Sequence, residues 1–336
     1  MDSYNPQTCH NYLMENASRK LAYKNDKDFA KWQQEAAAKL TELIGLDNFE
    51  KCDPNLRIEY KKETDLYIER KIVFTAEKYA DVPCYLLTPK KGVGPFPLVI
   101  TLQGHSTGMH ISLGRPKYEN DLKSIKGGRD YAIQAVKEGY AALAIEQRCF
   151  GERKDDQPEH VHGCHQGTMG ALLLGRTMIA ERVWDVQRAI DVLEDFADID
   201  NERIACMGNS GGGIISYYAA CLDSRIEIVM PSCSISTYKD SIGKIYHCTD
   251  NYIPGIYNYF EMGELAGLIA PRPVIVVAGK EDSIFPIDGV KENFELIQKV
   301  YDLAGAGDKC RLVIGQEGHK FYPEMAWPVF KELSNW

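Results

Sequence analysis

Long apolar runs are missing from this sequence of 336 residues. No run approaches the ~20 residues that a membrane-spanning helix needs. Basic residues are also too few for a surface that binds polyanions, because 39 Lys and Arg stand against 48 Asp and Glu, for a net charge of −9. No basic stripe is present to neutralise phosphates. We therefore expect a small-molecule partner, with neither a nucleic acid nor a membrane as partner, while the oligomeric state stays open.

A secretory signal is missing as well, because residues 1–7 are polar and lack the apolar core of a signal peptide. The sequence has ten cysteines, and Cys206, Cys233 and Cys310 lie in or beside apolar strand patterns. This placement is typical of reduced core residues and not of a disulfide framework. We expect a cytoplasmic protein, and whether a leader preceded residue 1 stays open.

Internal repeats and low-complexity linkers are absent too. With 44% hydrophobic and 26% charged residues, the chain can bury one large core. We expect a single domain over residues 1–336. Within it, residues 1–56 form an N-terminal helical extension and residues 232–268 form an insert, rich in aromatic residues, that we call the cap insert.

Strand and helix patterns alternate along the chain and predict an α/β fold, a doubly wound and mostly parallel sheet with helices on both faces. An amphipathic helix is predicted over 28–46, with Asp28 as N-cap and Gly45 at its end. Continuous apolar runs predict parallel strands at 97–102, 140–145, 204–207, 226–230, 274–278 and 311–314. Antiparallel edge strands are predicted at 66–74 and 82–87. Further helices are predicted near 128–138, 177–196, 211–221, 288–303 and 322–335.

The segment 203–213 carries the clearest functional signal. A short apolar run ends at the sequence GNSGG, residues 208–212, which fits the pattern G-x-S-x-G, and a helical pattern follows. A serine on such a strand-to-helix turn has strained backbone geometry, and its hydroxyl projects above the sheet edge at the positive end of the helix. Ser210 is therefore the candidate nucleophile. A helix N-cap is the structural alternative, although four neighbouring glycines are an unusual setting for one.

Two further residues complete a catalytic set. A serine hydroxyl needs a base to remove its proton, and the base needs a third group to orient it. Asp282 follows the strand predicted at 274–278, and His319 follows the strand predicted at 311–314, so both belong at the same sheet edge as Ser210. Glu281 is the alternative acid, but the G-x-x-D spacing favours Asp282. The chain order serine, aspartate, histidine is that of α/β-hydrolases.

These residues, together with several framework motifs, resemble the α/β-hydrolase superfamily. Within it the chain is similar to the acetyl xylan esterase-like and dienelactone hydrolase-like branch, from about residue 29 to the C-terminus. The motifs that carry the resemblance are LQGH at 102–105, EQRCFG at 146–151, GR at 175–176, RVWDVQRAID at 182–191, the serine turn, LIAPRP at 268–273, Asp282 and His319. The resemblance implies a serine esterase that needs no cofactor.

The anion that forms when Ser210 attacks a carbonyl needs hydrogen-bond donors. One donor is expected to be the backbone N–H of Gly211, and the second is expected in the loop at 103–106. The resemblance implies that His105 supplies its backbone N–H there, so its side chain need not do any chemistry. The candidate substrate-binding residues are Gln103, Asn209, His247 and Asn251.

Two other groups of polar residues invite a functional interpretation. The tract 160–165, HVHGCH, packs four potential metal ligands together, but ligands of catalytic zinc usually come from more distant segments, so no metal is predicted. Whether the tract binds a metal stays open. Glu146 and Arg148 follow a predicted strand and are expected to form a buried ion pair.

The sequence thus predicts a serine carboxylic-ester hydrolase that works through an acyl-enzyme. Short acyl esters, acetyl esters of sugars or xylo-oligosaccharides in particular, are the substrates that the resemblance implies. Three alternatives remain: an aminopeptidase-like hydrolase, a lactone-cleaving hydrolase, and a non-catalytic binding protein with the same fold. The acyl length and the alcohol moiety stay open.

Overall fold

The computed structural model describes residues 4–24, 28–155 and 163–336 of the chain. Within these residues nine strands form a single sheet. The strands are β1 (Arg57–Glu63), β2 (Tyr67–Glu77), β3 (Ala80–Pro89), β4 (Phe96–Leu102), β5 (Ala141–Ile145), β6 (Ile199–Asn209), β7 (Ile226–Ser232), β8 (Val274–Gly279) and β9 (Cys310–Gly315). Their order across the sheet is β1-β2-β3-β5-β4-β6-β7-β8-β9.

The sheet is antiparallel at one edge and parallel elsewhere. β1, β2, β3 and β5 pair antiparallel in that order, and the remaining pairs are parallel. The predicted strands are present, and the predicted fold class is confirmed. The sequence pattern does not predict β1, because all of its residues are exposed and a strand without a buried face has no apolar alternation to detect.

Helices pack on both faces of the sheet. The α-helices are α1 (Pro6–Glu15), α2 (Phe29–Ile44), α3 (Glu119–Ser124), α4 (Tyr131–Lys137), α5 (His165–Leu173), α6 (Met178–Asp191), α7 (Gly211–Leu222), α8 (Ile287–Leu303) and α9 (Pro323–Ser334). Successive residues of β4 point to opposite faces, since Leu98 and Ile100 join one core cluster and Val99 joins the other. The first cluster takes buried residues from α2, α6, α7 and α8, and the second takes them from α4 and α9.

The predicted helix over 28–46 is confirmed as α2. The Asp28 side chain caps it by accepting a hydrogen bond from the Lys31 N–H at 3.0 Å. Gly45 ends it with a φ of 78°, and a Cβ at this position would lie 2.0 Å from the Gly175 carbonyl oxygen. The apolar face is buried in the first core cluster, which we call the main core, through Trp32, Ala36, Leu40 and Ile44. None of the helices in the described ranges is long and apolar enough to cross a membrane.

The cap insert lies between β7 and β8 and contains three short 3₁₀ helices, Thr249–Asn251, Ile256–Asn258 and Met262–Leu268. Its aromatic residues differ in burial. Tyr238 and Phe260 are buried in the main core, whereas Tyr246 and Tyr252 are 81% and 43% exposed. A large part of the insert is therefore packed onto the sheet, and its action as a cap over the site stays a prediction.

Candidate active site

Ser210 lies on a sharp turn between β6 and α7. Its backbone has φ 57° and ψ −128°, a conformation that is costly for a residue with a side chain. The neighbouring glycines are sterically required, because a Cβ at Gly208 would lie 2.5 Å from the Leu102 carbonyl oxygen and one at Gly212 would lie 2.1 Å from it. The Ser210 N–H donates to the Ser232 carbonyl at 2.8 Å, which ties the turn to the end of β7.

Asp282 and His319 are joined by a hydrogen bond of 2.8 Å between Oδ2 and Nδ1. The other carboxylate oxygen of Asp282 accepts the N–H groups of Ile284 and Phe285 at 2.8 and 3.2 Å. Burial alone would raise the pKa of Asp282, but these hydrogen bonds and the imidazole lower it below its usual value. Because a carboxylate accepts from Nδ1–H, Nε2 of His319 is left unprotonated in the neutral ring. Glu281, the alternative acid, is exposed.

The strand register explains how distant residues reach one edge of the sheet. Asn209 pairs with Ser232, Ser232 pairs with Val277, and Gly279 pairs with Gly315. The turns that follow β6, β8 and β9 therefore begin at matched heights, and these turns carry Ser210, Asp282 and His319.

Cys233 is a neighbour of this site whose position the sequence did not indicate. Its Sγ, one Asp282 oxygen and one His319 ring nitrogen lie within 4.8 Å of one another. The thiol donates to the Lys320 carbonyl at 3.3 Å. Burial, with Asp282 nearby, raises the pKa of Cys233 to about 12, so the group is a neutral thiol. It links the end of β7 to the loop that carries His319.

The loop after β4 packs directly against the serine turn. A Cβ at Gly104 would lie 2.5 Å from the Asn209 carbonyl oxygen and 3.3 Å from the Gly211 backbone nitrogen. A Cβ at Gly211 would lie 3.4 Å from Nδ1 of His105. Gly211 and His105, the two residues expected to supply the oxyanion donors, are therefore adjacent, and their role as donors stays a prediction.

A profile of the acetyl xylan esterase (AXE1) family matches residues 17–264 of the sequence. The chain belongs to the acetyl xylan esterase family. Among known proteins, YtaP of Bacillus subtilis (strain 168), which is named as a hydrolase, is 28% identical over 271 residues, 79% of this chain and 85% of that protein.

Two solved structures show the same fold. One from Bacteroides fragilis NCTC 9343, described as an acetyl xylan esterase, has a TM-score of 0.80 at 18% identity and covers 99% of this chain and 95% of that chain. A glucuronoyl esterase from Solibacter usitatus has a TM-score of 0.66 at 14% identity and covers 96% and 98%. Membership in the acetyl xylan esterase family confirms the resemblance found in the sequence, and the protein is a carboxylic ester hydrolase.

In this acetyl xylan esterase family member the side chain of His105 contacts a buried carboxylate. Its Nε2 lies 3.1 Å from Oδ2 of Asp250, and the same oxygen accepts from Nη1 of Arg182 at 2.7 Å. Burial alone would lower the pKa of His105, but Asp250 and Cys248 outweigh burial and raise it to about 9. The sequence signal for this contact was weak, because Asp250 is one of four acidic residues in the cap insert and no motif connects it with His105.

All four predicted substrate-binding residues are buried, and Gln103 and Asn209 are the most deeply buried of them. Gln103 is 2% exposed, and its Nε2 donates to Ser112 Oγ at 2.7 Å and to the Arg129 carbonyl at 2.8 Å. Asn209 is fully buried, and its Oδ1 accepts from Ser232 Oγ at 2.8 Å. These amides position the loop after β4 and the end of β6, so the structure does not place either side chain for substrate contact.

His247 and Asn251 lie in the cap insert and are 7% and 8% exposed. Nε2 of His247 lies 3.1 Å from Ser241 Oγ, and its ring packs edge-on against Phe285 at 5.4 Å. Phe285 in turn stacks on His319 at 6.1 Å. Burial, followed by the charges of His105 and His319, lowers the pKa of His247. His247 therefore borders the proposed catalytic residues, whereas no described contact joins Asn251 to them.

The expected ion pair between Glu146 and Arg148 is not formed. Arg148 pairs instead with Glu77, Glu181 and Asp185 at 2.9 to 3.1 Å. Glu146 accepts backbone N–H groups from Met109 at 3.0 Å and from Glu152 at 3.2 Å. Both residues lie beyond the end of β5, so no strand alternation places their side chains on one face, and the surrounding loops supply different partners to each.

Proposed function

We propose that this protein hydrolyses short-chain acyl esters through an acyl-enzyme on Ser210, and that acetyl groups on sugars or xylo-oligosaccharides are its substrates. The observation that carries the proposal is the hydrogen bond between Asp282 and His319, 2.8 Å long, at the edge of the sheet where Ser210 occupies its strained turn. Membership in the acetyl xylan esterase family supports the acetyl group and the sugar.

In the proposed first step the Ser210 hydroxyl attacks the ester carbonyl while Nε2 of His319 takes its proton. Asp282 holds the imidazole by Nδ1 and stabilises its positive charge. The tetrahedral anion is bound by the N–H groups of Gly211 and His105, whose loss would typically cost on the order of 10²–10³ in turnover per donor. His319 then protonates the departing alcohol, leaving an acetyl ester on Ser210.

In the second step water attacks the acyl-enzyme. His319 again acts as the base, and the acid product leaves when Ser210 regains its proton.

His247 is the residue of the cap insert that we propose to contact the sugar. With Ser241 Oγ donating to the Ile284 carbonyl at 2.7 Å, the Ser241 oxygen accepts from Nε2–H of His247, which leaves Nδ1 as an acceptor for a sugar hydroxyl.

The direct test is Ser210→Ala, assayed with p-nitrophenyl acetate and with acetylated xylo-oligosaccharides. We expect turnover to fall by about 10⁴–10⁶-fold with an unchanged circular dichroism spectrum. A fluorophosphonate probe should label the wild-type chain at Ser210 and leave the variant unlabelled. Turnover retained in the variant contradicts the proposed mechanism. Activity on lactones or aminoacyl amides in place of acetyl esters supports the corresponding alternative hydrolase.

A basic cleft beside His319 favours a second candidate substrate, an acetylated oligosaccharide that also carries a uronic acid branch. The cleft has a volume of about 400 Å³, and its charged lining residues are Lys123, Lys126, Arg129, Lys320 and Glu317. Glu317 pairs with Lys320, so the remaining lining is positive and suits a carboxylate. Lys126→Gln should raise KM for an acetylated oligosaccharide with a uronic acid branch and leave KM for the neutral oligosaccharide unchanged, whereas the exposed Lys91→Gln should change neither.

We further propose that the protein works in the cytoplasm. All ten cysteines are free thiols, and seven of them are buried. Free thiols in this number are typical of a reducing compartment. Fractionation of the source cells with an antibody against the chain tests this location.

A further inference from the structure

Four potential metal ligands meet at the rim of the sheet, and none of them is one of the proposed catalytic residues Ser210, Asp282 and His319. His105 lies in the loop after β4, and Cys164 immediately precedes α5. Cys248 and Asp250 lie in the cap insert. Their ligand atoms (one imidazole nitrogen, two Sγ atoms and one carboxylate oxygen) all lie within 4.8 Å of one another. The cluster thus joins three segments that are far apart in the sequence.

One atom of this cluster, a carboxylate oxygen of Asp250, has no hydrogen-bond partner among the described residues. The residue is 1% exposed, and its Oδ2 is shared by His105 and Arg182. Its Oδ1 is buried and has no hydrogen-bond partner in the described part of the chain. A buried carboxylate oxygen without a donor or a cation keeps the full cost of its lost hydration. The missing partner is therefore a cation or a donor that approaches from the side of Oδ1.

We propose that His105, Cys164, Cys248 and Asp250 form a zinc site. Two thiolates, an imidazole and a carboxylate are a ligand set that Zn²⁺ prefers, and four protein ligands describe a closed, structural site. Nε2 of His105 and Oδ2 of Asp250 are 3.1 Å apart, and all four ligand atoms lie within 4.8 Å of one another, so small side-chain movements bring them onto one ion. This inference goes beyond the proposed esterase function and does not depend on it.

The charges around the cluster also fit a divalent cation. Two thiolates and one carboxylate exceed the charge of Zn²⁺ by one negative unit. Arg182 is 1% exposed and supplies the balancing positive charge, with Nη1 2.7 Å from Asp250 Oδ2 and Nη2 3.5 Å from Cys164 Sγ. The loaded site is neutral as a whole, so its buried members Asp250, Cys164 and Arg182 carry no uncompensated charge.

An access route and a structural consequence follow from the surroundings. His105 and Cys164 line a cavity of about 450 Å³, and the His105 side chain is 37% exposed, so an ion can reach the ligands from solvent. On binding, the two thiols and the imidazole nitrogen release their protons to water. The ion then ties the cap insert and the start of α5 to the loop that carries the proposed oxyanion donor.

The test uses the full chain, reduced, freed of metal with a chelator and titrated with Zn²⁺ and with Co²⁺. We expect one ion per chain by mass spectrometry of the metal content. The Co²⁺ form should show the thiolate-to-metal charge-transfer band and the strong visible bands of a tetrahedral site. A wild-type chain that binds no ion, or a Co²⁺ spectrum without the thiolate band, overturns the proposal.

Variants assign the ligands. Cys248→Ser and Cys164→Ser should weaken binding by more than the roughly 10–100-fold that loss of a supporting partner causes. Cys310→Ser is the matched control, because Cys310 is also buried but its Sγ contacts Gln298 and Gly307. Wild-type affinity in both ligand variants overturns the assignment. Ser210→Ala should bind the ion normally, so the result is independent of the esterase proposal.

Discussion

Nδ1 of His319 lies 2.8 Å from Oδ2 of Asp282, although 37 positions separate the two residues in the sequence. This contact fixes which ring nitrogen of His319 carries the proton and leaves Nε2 available as a base. It also distinguishes Asp282 from its neighbour Glu281, which is exposed.

Replacement of the acid gives the first prediction. Asp282→Asn should lower kcat by about 10⁴-fold, because an amide oriented by two backbone N–H groups presents its NH₂ to His319 and favours the wrong tautomer. Glu281→Gln is the control and should keep wild-type kcat. Steady-state kinetics with p-nitrophenyl acetate measure both. A larger loss in Glu281→Gln than in Asp282→Asn would exchange the two roles.

The serine turn gives the second prediction. A Cβ at Gly212 would lie 2.1 Å from the Leu102 carbonyl oxygen, so Gly212→Ala must displace either α7 or the end of β4. We expect a loss of at least about 2 kcal/mol of unfolding free energy, together with most of the esterase activity.

Gly170→Ala is its matched control, because Gly170 lies in α5 and a Cβ there meets nothing within 4 Å. This variant should be as stable as the wild type or more stable by about 0.5–1 kcal/mol. Urea unfolding measures both variants. Equal stability of Gly212→Ala and the wild type would show that the turn is less tightly packed than the structure indicates.

The third prediction concerns pH and Glu146. Burial, only partly offset by the N–H groups of Glu152 and Met109, raises the pKa of Glu146 from 4.5 to about 7. A carboxyl with a raised pKa holds its proton more tightly in the folded state. Its contribution is therefore fully present below pH 4.5 and is lost as the pH rises through 7.

Between pH 5 and pH 8 this group alone should remove about 2–3 kcal/mol of unfolding free energy. Glu146→Gln is less stable at low pH, because its NH₂ faces a backbone donor, but it should lack this part of the pH dependence. Urea unfolding of both proteins at the two pH values gives the difference. Parallel curves for the wild type and the variant would contradict the raised pKa.

The fourth prediction tests the sugar contact proposed for His247. His247→Ala should raise KM for an acetylated xylo-oligosaccharide by about tenfold, the effect of one lost hydrogen bond. Turnover of p-nitrophenyl acetate, which has no sugar, should change by less than about twofold. If both substrates lose activity equally, His247 acts only by supporting Phe285 and His319.

Local sequence patterns were sufficient for much of this molecule. The apolar runs predicted the parallel strands, because a strand buried on both faces needs continuous apolar residues. The glycines around Ser210 predicted its turn, because the backbone there tolerates no Cβ at Gly208 or Gly212. By contrast, β1 escaped prediction because its exposed residues carry no such pattern.

The chain order of Ser210, Asp282 and His319, each placed after an apolar strand, was likewise readable from the sequence alone, because parallel strands bring their carboxyl ends to one edge. What only the tertiary structure decided was which polar side chains meet between loops. Gln103 and Asn209 proved to be interior supports, and Asp250 bonds to Arg182, 68 positions away. Such contacts depend on how loops pack, and no local periodicity or steric rule encodes that packing.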